Sequence, residues 1–206
     1  MTALYRGSAV TATRRTLAVG RILYNGRTMK SYLELVDCHT LGPRNDVTPL
    51  FADRDGFAQL ANDLAEPFAG KGVDAVAAID ALGFVLGTAV AERLGVGVVA
   101  IRKGGKLPVP TVREAFTDYS GTSKTLEVRP DLIKAGMGLL IVDEWIETGA
   151  QVSAAIALIE QLGAIVAGIA TICMDRCPVT SALRDKYAVR QVWSEGSRVA
   201  SAESEP

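Results

Sequence analysis

The distribution of apolar residues through the middle of the chain predicts an alternation of buried strands and helices. Four continuous apolar runs have the length of single strands: Val73–Ile79, Val96–Ile101, Gly138–Val142 and Ala164–Met174. Apolar residues at helical spacing occupy three further segments: Arg54–Ala69, Phe84–Leu94 and Val152–Leu162. Strands that are apolar on both faces need helices on both sides of their sheet. We therefore predict an α/β protein with a doubly wound, mainly parallel sheet.

The segment before this alternation predicts a small β-rich hood, residues 1–45. The dipeptide Asn25-Gly26 separates two segments predicted as strands, Thr16–Leu23 and Ser31–Asp37. Asn-Gly between alternating segments is a strong signal for a hairpin turn. We assign residues 1–195, hood included, to a single domain and residues 196–206 to a disordered tail.

One long polar stretch, residues 103–129, interrupts the alternation. It contains Gly104, Gly105, Pro108 and Pro110. A loop of this length inside a compact domain is usually functional or mobile. We therefore predict a long flexible flap over these residues.

Composition narrows the classes of partner. The 206 residues carry a formal net charge of −1, which gives no electrostatic reason to expect nucleic acid or an anionic membrane as the main partner. No apolar run approaches the length of about 20 residues that spans a bilayer. The N-terminus lacks the apolar core of a signal peptide, so we expect a cytoplasmic protein. In that compartment Cys38, Cys173 and Cys177 are expected to be reduced thiols.

The most informative segment follows the apolar run Gly138–Val142. Ligands of doubly wound sheets lie beyond the carboxyl ends of the strands, which is where Asp143 and Glu144 stand. Two acids there can hold ribose hydroxyls and approach a cation. Thr148 and Gly149 then open a helix, whose free N–H groups and positive dipole end attract phosphate. A helix cap explains the same residues, because Thr148 with Gln151 three residues on matches a capping box, and both interpretations can hold together.

Three motifs resemble those of type I phosphoribosyltransferases, most closely adenine phosphoribosyltransferases. Leu139–Gln151 resembles the family signature for phosphoribosyl pyrophosphate (PRPP), which is four apolar residues, two acids, two apolar residues and a Thr-Gly phosphate loop. Val73–Phe84 followed by Ile101–Pro108 is similar to the pattern Gly-Ile/Leu-Asp-Ala/Ser-Arg-Gly-Phe and Ile-Arg-Lys-x-Gly-Lys-Leu-Pro. Asp46–Leu50 resembles the segment Arg-Asp-Ile-Thr-Pro-Leu. The motifs occur in the family's order and imply the type I phosphoribosyltransferase fold.

The resemblance implies which residues hold the sugar and its phosphates. The ribose hydroxyls would be bound by the paired acids Asp143 and Glu144. The 5-phosphate would lie in the loop formed by Glu147, Thr148, Gly149, Ala150 and Gln151. The pyrophosphate would be bound by Ala81, Leu82, Arg102 and Lys106. A strained or cis non-proline peptide is common in relatives at this point, which predicts one near Asp80-Ala81-Leu82.

The resemblance also implies the reaction and the partners. The chain would transfer ribose 5-phosphate from PRPP to a purine-like base, as in adenine salvage, and release pyrophosphate. Mg²⁺ would bridge PRPP oxygens with few protein ligands, of which Asp143 is the candidate. The proton on the base would be managed by Glu147 or by the flap carboxylate Asp118, with Glu114 as a substitute. Because relatives are commonly dimers, a homodimer is expected.

Several positions depart from the family pattern. Leu82 replaces an Arg that contacts pyrophosphate, which predicts weaker PRPP binding or weaker stabilisation of the transition state. Gln151 replaces a Thr, but its amide can still donate a hydrogen bond. Trp145 replaces a small aliphatic residue and is interpreted as core filling. The remaining basic residues of the flap region are expected to be surface charges: Lys103, Arg113, Lys124 and Arg129.

The residues expected on the base side of the site also differ from the family pattern. Glu147 replaces a small residue and could handle the proton of a purine or repel the phosphate. Arg44-Asn45, the expected base-binding pair, replaces an aromatic-Arg pair, so the stacking ring is missing and the Arg44 guanidinium would have to stack instead.

These departures from the family pattern leave three hypotheses about the function of the chain. The first is an active phosphoribosyltransferase. The second is a catalytically weak or inactive PRPP- or nucleotide-binding regulatory protein. The third is an unrelated doubly wound protein whose strand-end acids only cap a helix.

Overall fold

The computed structural model describes residues 23–24, 27–28, 30–41, 44–118 and 120–193. The strands of this part are β1 Leu23–Tyr24, β2 Arg27–Thr28, β3 Ala75–Ile79, β4 Gly97–Lys103, β5 Val112–Thr117, β6 Ser123–Val128, β7 Gly138–Ile146, β8 Ile165–Met174 and β9 Val189–Trp193. The α-helices are α1 Thr48–Ala52, α2 Arg54–Ala65, α3 Leu82–Leu94, α4 Ala150–Gln161 and α5 Pro178–Lys186. Short 3-10 helices occupy Ser31–Leu35, Glu66–Phe68 and Pro130–Leu132.

The main sheet has seven strands in the order β5-β6-β4-β3-β7-β8-β9. Its five strands from β4 to β9 pair in parallel, with β3 and β7 at the centre. At one edge β6 runs antiparallel to β4, and β5 runs antiparallel to β6. The prediction of a mainly parallel sheet is confirmed. Ala78 of β3 is in register with Val142 of β7, so β3 ends near Asp143 while β7 continues to Ile146.

Alternate residues of β7 belong to two different cores, one on each face of the sheet. Leu139 and Ile141 pack with apolar residues of α4. Leu140 and Val142 pack with apolar residues of α2 and α3. Every residue of β3 is buried, as a central strand with helices on both faces requires. The doubly wound arrangement predicted from the continuous apolar runs is therefore confirmed.

The N-terminal segment differs in part from its prediction. A hairpin does surround Asn25-Gly26, with Leu23 paired to Thr28, but each strand has two residues. The predicted strand Ser31–Asp37 is wrong, because Ser31–Leu35 form a 3-10 helix. Tyr32 and Leu33, neighbours in sequence, are both buried, which a strand with one buried face does not allow. Residues 16–22 and the predicted tail 196–206 lie outside the described residues.

Residues 103–129 contain paired strands rather than one long loop. Six residue pairs join β5 to β6, from Val112 with Val128 to Thr117 with Ser123. Leu126 and Val128 enter the core, so the segment is part of the sheet. Two later elements, α5 and β9, had no sequence prediction, and β9 completes the sheet at its other edge. Within the part of the chain that the structure describes, no helix combines the length and apolar character needed to cross a membrane.

Candidate active site

A cleft of about 360 Å³ lies at the carboxyl ends of β3 and β7. Most of the predicted site residues line it: Arg44, Asn45, Ala81, Leu82, Asp118, Asp143, Glu144, Glu147, Thr148, Gly149 and Gln151. Four candidates are not in its lining: Arg102, Lys106, Glu114 and Ala150. The fold thus gathers segments that are far apart in sequence into one concave site.

The paired acids form the floor of the cleft. Asp143 is buried, its Oδ1 accepting a hydrogen bond from the Glu144 backbone N–H (3.0 Å) and its Oδ2 one from Gln151 Nε2 (3.1 Å). Burial, and then the neighbouring carboxylate of Glu144, raises the pKa of Asp143 well above its usual range. The Oε2 atom of Glu144 is also buried and has no hydrogen-bond partner. Buried oxygens with unmet acceptor capacity are suited to the hydroxyls of a sugar or to a hard cation.

The start of α3 approaches these acids closely. A Cβ atom added to Gly83 would lie 2.9 Å from the carbonyl oxygen of Val142 and 3.1 Å from Asp143 Oδ1, so only glycine permits this packing. Just before it, the Asp80–Ala81 peptide bond is cis, which confirms the prediction for this turn. Ala81 and Leu82 therefore meet the cleft at the end of β3, beside the acids of β7.

The predicted phosphate loop, Glu147–Gln151, includes Gly149, which is the N-cap of α4 and has a φ of 77°. The capping box predicted from Thr148 and Gln151 is wrong, since the Gln151 amide bonds to Asp143 instead. Thr148 Oγ1 accepts only a long bond from the Ala150 N–H, at 3.3 Å. The first N–H groups of a helix have no intrahelical partner, and Gly149 supplies no side chain to cap them. The helix start can therefore receive an anion.

Helix α5 packs against this loop. A Cβ atom on Gly149 would lie 3.0 Å from Val179 Cγ1, so the glycine is needed for packing as well as for its positive φ. The Cys177 thiol donates to the Thr148 carbonyl oxygen at 3.5 Å and, with Thr180, forms a capping box at the start of α5. Burial raises the pKa of Cys177, but the hydrogen bonds from Thr180 outweigh it and the pKa is lowered.

An ion pair joins the predicted base-binding segment to the predicted phosphate loop. Arg44 Nε donates to Glu147 Oε1 at 2.7 Å, and Arg44 Nη2 donates to Glu147 Oε2 at 2.9 Å. The Arg44 side chain is 58% exposed and the Glu147 side chain 25%. Both oxygens of the predicted proton-handling carboxylate thus already accept a hydrogen bond from the guanidinium.

The two basic residues predicted for pyrophosphate lie beside the cleft and contact each other. Arg102 Nη1 donates to the Lys106 carbonyl oxygen at 3.0 Å, and its Nε lies 3.6 Å from Asp80 Oδ2. The guanidinium carbon is 6.0 Å from the centre of the Phe84 ring. Arg102 is therefore held above the start of α3, next to the cis turn.

Glu127, for which the sequence predicted no role, orders the loop between β4 and β5. This fully buried carboxylate accepts hydrogen bonds from the backbone N–H groups of Lys106 and Leu107, both at 2.7 Å, and one from Arg113 Nε at 3.1 Å. Burial opposes its ionisation, but the backbone N–H groups prevail and lower the pKa of Glu127 to about 2. A charged residue between the buried Leu126 and Val128 was the available sequence signal.

The turn of the β5–β6 hairpin presents Asp118 to the cleft. Its Oδ1 accepts from Ser120 Oγ (2.6 Å) and from the Thr122 N–H (3.0 Å), and it forms an ion pair with Lys124. The Lys124 contact and these hydrogen bonds hold the pKa of Asp118 well below its usual range.

Three of the four basic residues expected to be plain surface charges have other roles. Lys103 and Lys124 line the cleft, and Arg113 pairs with the buried Glu127. Arg129 pairs with Asp131 outside the cleft lining. All four are exposed, as expected of surface charges, but the pairing of β6 with β4 and β5 brings three of them to the cleft or to a buried partner.

Trp145 both packs on the core and lines the cleft. Its ring meets that of Trp193 edge-on at 6.0 Å, and its Nε1 donates to Asp175 Oδ1 at 3.2 Å. The side chain is half-buried and forms part of the cleft wall. Core filling therefore describes only one face of this residue.

Comparison with known proteins identifies the family to which the chain belongs. The model of the phosphoribosyl transferase domain matches residues 52–199, and the chain belongs to the phosphoribosyltransferase family. The adenine phosphoribosyltransferase of Acidobacterium capsulatum is 44% identical over 125 residues, which cover 61% of this chain and 68% of that protein. The hypothesis of an unrelated doubly wound protein is therefore wrong.

Solved structures agree with this assignment. The adenine phosphoribosyltransferase of Thermoanaerobacter pseudethanolicus has a TM-score of 0.71 and 30% identity, covering 78% of this chain and 96% of its own. That of Saccharomyces cerevisiae, complexed with an imino-altritol bisphosphate and adenine, has a TM-score of 0.69 and 28% identity, covering 79% and 98%. The type I phosphoribosyltransferase fold predicted from the motifs is confirmed.

Proposed function

We propose that this chain transfers ribose 5-phosphate from PRPP to a purine-like base, with adenine as the first candidate, and releases pyrophosphate. The observation that carries the proposal is the pair formed by the buried Asp143 and by Glu144, whose Oε2 atom is buried, beside the glycine-capped start of α4. Sugar hydroxyls and a phosphate are the groups these two features recognise. The naming of its relatives as adenine phosphoribosyltransferases supports adenine.

In the reaction, positive charge develops at C1 of the ribose as pyrophosphate leaves. Asp143 and Glu144 bind the ring hydroxyls and orient C1 towards the base, and the net negative charge of the pair favours the developing cation. The 5-phosphate binds at the start of α4, where the helix dipole and free N–H groups face it. Gln151 holds Asp143 through its amide and is thus a positioning residue for the acids.

The leaving pyrophosphate accumulates negative charge at the end of β3. The backbone of Ala81 and Leu82 lines this part of the cleft, with Lys103 and Lys124 in the same lining. Arg102 and Lys106 stand next to it and act on the leaving group through their positive charge. Leu82 contributes no charge here, which predicts a slower enzyme than one with Arg at this position.

Two carboxylates of the cleft can receive or hold the proton of the base. Glu147 is the stronger candidate because it lies on the phosphate loop and opposite the base-binding segment. The Lys124 ion pair keeps Asp118 ionised and weakly basic, so it can accept a hydrogen bond from the base but does not act as an acid near neutral pH. Glu114 is outside the cleft lining and is the weakest candidate.

The residues present fit Mg²⁺ held mainly by its substrate. Among the described residues no group of three or more His, Cys, Asp or Glu side chains is arranged to hold a metal ion. The unpartnered Oε2 of Glu144 and the carboxylate of Asp143 offer hard oxygen ligands at the floor of the cleft. When bound, Mg²⁺ would offset the negative charge of PRPP while keeping several waters.

We propose that the protein works in the cytoplasm as a homodimer. Sedimentation of the purified chain would test the oligomeric state.

Release of pyrophosphate tests the proposal directly. Purified protein with Mg²⁺ and PRPP is assayed against adenine, hypoxanthine, guanine and pyrimidine bases. We expect turnover with at least one purine, and loss of PRPP binding in the double variant Asp143→Asn, Glu144→Gln without loss of the fold. No pyrophosphate release with any base, despite PRPP binding in calorimetry, would favour the second candidate, a regulatory binding protein. Leu82 in the cleft is the observation that favours it.

A further inference from the structure

Two positions that depart from the family pattern meet across the cleft. Arg44, in the base-binding segment, and Glu147, in the phosphate loop, are 103 residues apart in sequence and form a two-pronged ion pair with bonds of 2.7 and 2.9 Å. Bidentate guanidinium–carboxylate pairs are geometrically specific and stronger than single contacts. The Arg44 backbone is held in turn, because the Thr40 hydroxyl donates to its carbonyl oxygen.

The negative charge of Glu147 opposes the binding of a phosphate to the loop that contains it. Its carboxylate lies two residues before Gly149, the N-cap at which a phosphate would bind. A helix start carries only about half a positive charge, which is less than the full negative charge of a nearby carboxylate. The Glu147 side chain is only 25% exposed, so solvent screens the repulsion incompletely. A phosphate can bind well here only if another group neutralises Glu147.

We propose that Arg44 is this counter-ion, and that Arg44 and Glu147 together determine the affinity of the loop for the 5-phosphate of its ligand. The inference rests on the proposed function. Arg44 is a positioning residue in this scheme. It neutralises Glu147 and draws the carboxylate towards the base side of the cleft, away from the helix start. The repulsion that Glu147 alone would cause is thereby removed, and each substitution is tolerated because the other is present.

A double-mutant cycle tests the pair. Dissociation constants for PRPP with Mg²⁺, and for ribose 5-phosphate, are measured by calorimetry for the full chain. Arg44→Met is expected to weaken both ligands about tenfold, because it leaves Glu147 unpaired beside the phosphate. Glu147→Gln is expected to tighten them about threefold. In the Glu147→Gln background, Arg44→Met is expected to change the constants less than about threefold, since no carboxylate remains to neutralise.

Two further variants serve as controls. Arg129→Met breaks a comparable bidentate pair, with Asp131, that lies outside the cleft lining, and is expected to leave both dissociation constants within about twofold. Arg44→Lys keeps the charge without the planar fork and is expected to retain most of the affinity. Thermal unfolding of each variant establishes that it is folded before binding is compared.

The outcomes separate this inference from the proposed function. Equal weakening by Arg44→Met in both backgrounds would overturn the inference alone, because Arg44 would then act on the ligand independently of Glu147. Binding of neither PRPP nor ribose 5-phosphate by the wild type would overturn the proposed function, and the inference with it. Weakening that is present with Glu147 and absent with Gln at that position supports the counter-ion role.

Discussion

Replacing Asp143 with Asn is expected to stabilise the protein while impairing its ligand binding. Asp143 is 4% exposed, and the carboxylate of Glu144 adjoins it. The Asn amide can keep both hydrogen bonds, with its oxygen accepting from the Glu144 N–H and its NH₂ group facing a flipped Gln151 side chain. The substitution therefore removes a buried charge without removing its packing.

The size of the effect follows from the electrostatics of the pair. Two unit charges about 4 Å apart repel by about 4 kcal/mol at an effective dielectric constant near 20. Proton uptake and local solvent relieve part of this repulsion, so we expect Asp143→Asn to gain about 2 kcal/mol near pH 8. For a chain of this length that corresponds to a rise in Tm of about 4–8 °C.

The pH dependence has a definite sign. The pKa of Asp143 is raised in the folded state, so the folded protein binds a proton that the unfolded chain releases as the pH passes about 3.9. Its contribution to stability therefore falls as the pH rises from that value through the folded pKa. The Asn variant has no such loss, so its advantage in Tm should be small near pH 4 and grow towards pH 8.

Calorimetric unfolding from pH 4 to pH 8, with PRPP titrations at neutral pH, measures both effects. PRPP binding should weaken about tenfold or more, as expected when a charged hydrogen-bond acceptor is lost. Asp74→Asn is the matched control, since Asp74 accepts from the Gly138 N–H at the opposite end of β7 and lies outside the cleft lining. An Asp143→Asn variant that is less stable than wild type at all pH values, or that binds PRPP unchanged, would contradict the assigned role of Asp143.

Two further predictions concern the leaving-group side of the cleft. Leu82→Arg is expected to raise kcat/KM for PRPP about tenfold or more, because the new guanidinium would face the pyrophosphate. The aliphatic stem of the Arg would cover the apolar surface that Leu82 now covers. Steady-state kinetics that show no gain in kcat/KM would contradict this prediction. Glu127→Gln is expected to raise KM for PRPP severalfold, because it loosens the loop that carries Lys106. The pKa of Glu127 is lowered to about 2, so its ionised form contributes stability above about pH 4.5 that is lost as the pH falls through the folded pKa. The Tm difference between wild type and Glu127→Gln should therefore shrink in acid, and a difference independent of pH would count against the assignment.

The sequence alone determined the elements whose signal is local. A buried parallel strand must be apolar on both faces, so β3, β7 and β8 could be located within a few residues from their continuous apolar runs. Asp143 and Glu144 were recognisable because ligands of such sheets bind near the carboxyl ends of the strands, although both acids lie within β7, which continues to Ile146, and not beyond its end as predicted. The order of the motifs then predicted the fold that the comparisons confirm.

The pairing of groups on different segments depends on the tertiary structure. Gln151 bonds to Asp143 rather than capping its own helix, and Glu147 bonds to Arg44, 103 residues away. The buried carboxylate of Glu127 and the β5–β6 hairpin were likewise not predicted, because polar residues on a half-exposed strand resemble those of a loop. Periodicity records which face of an element is buried, whereas hydrogen bonds and ion pairs depend on which segments the fold brings within about 3 Å of each other.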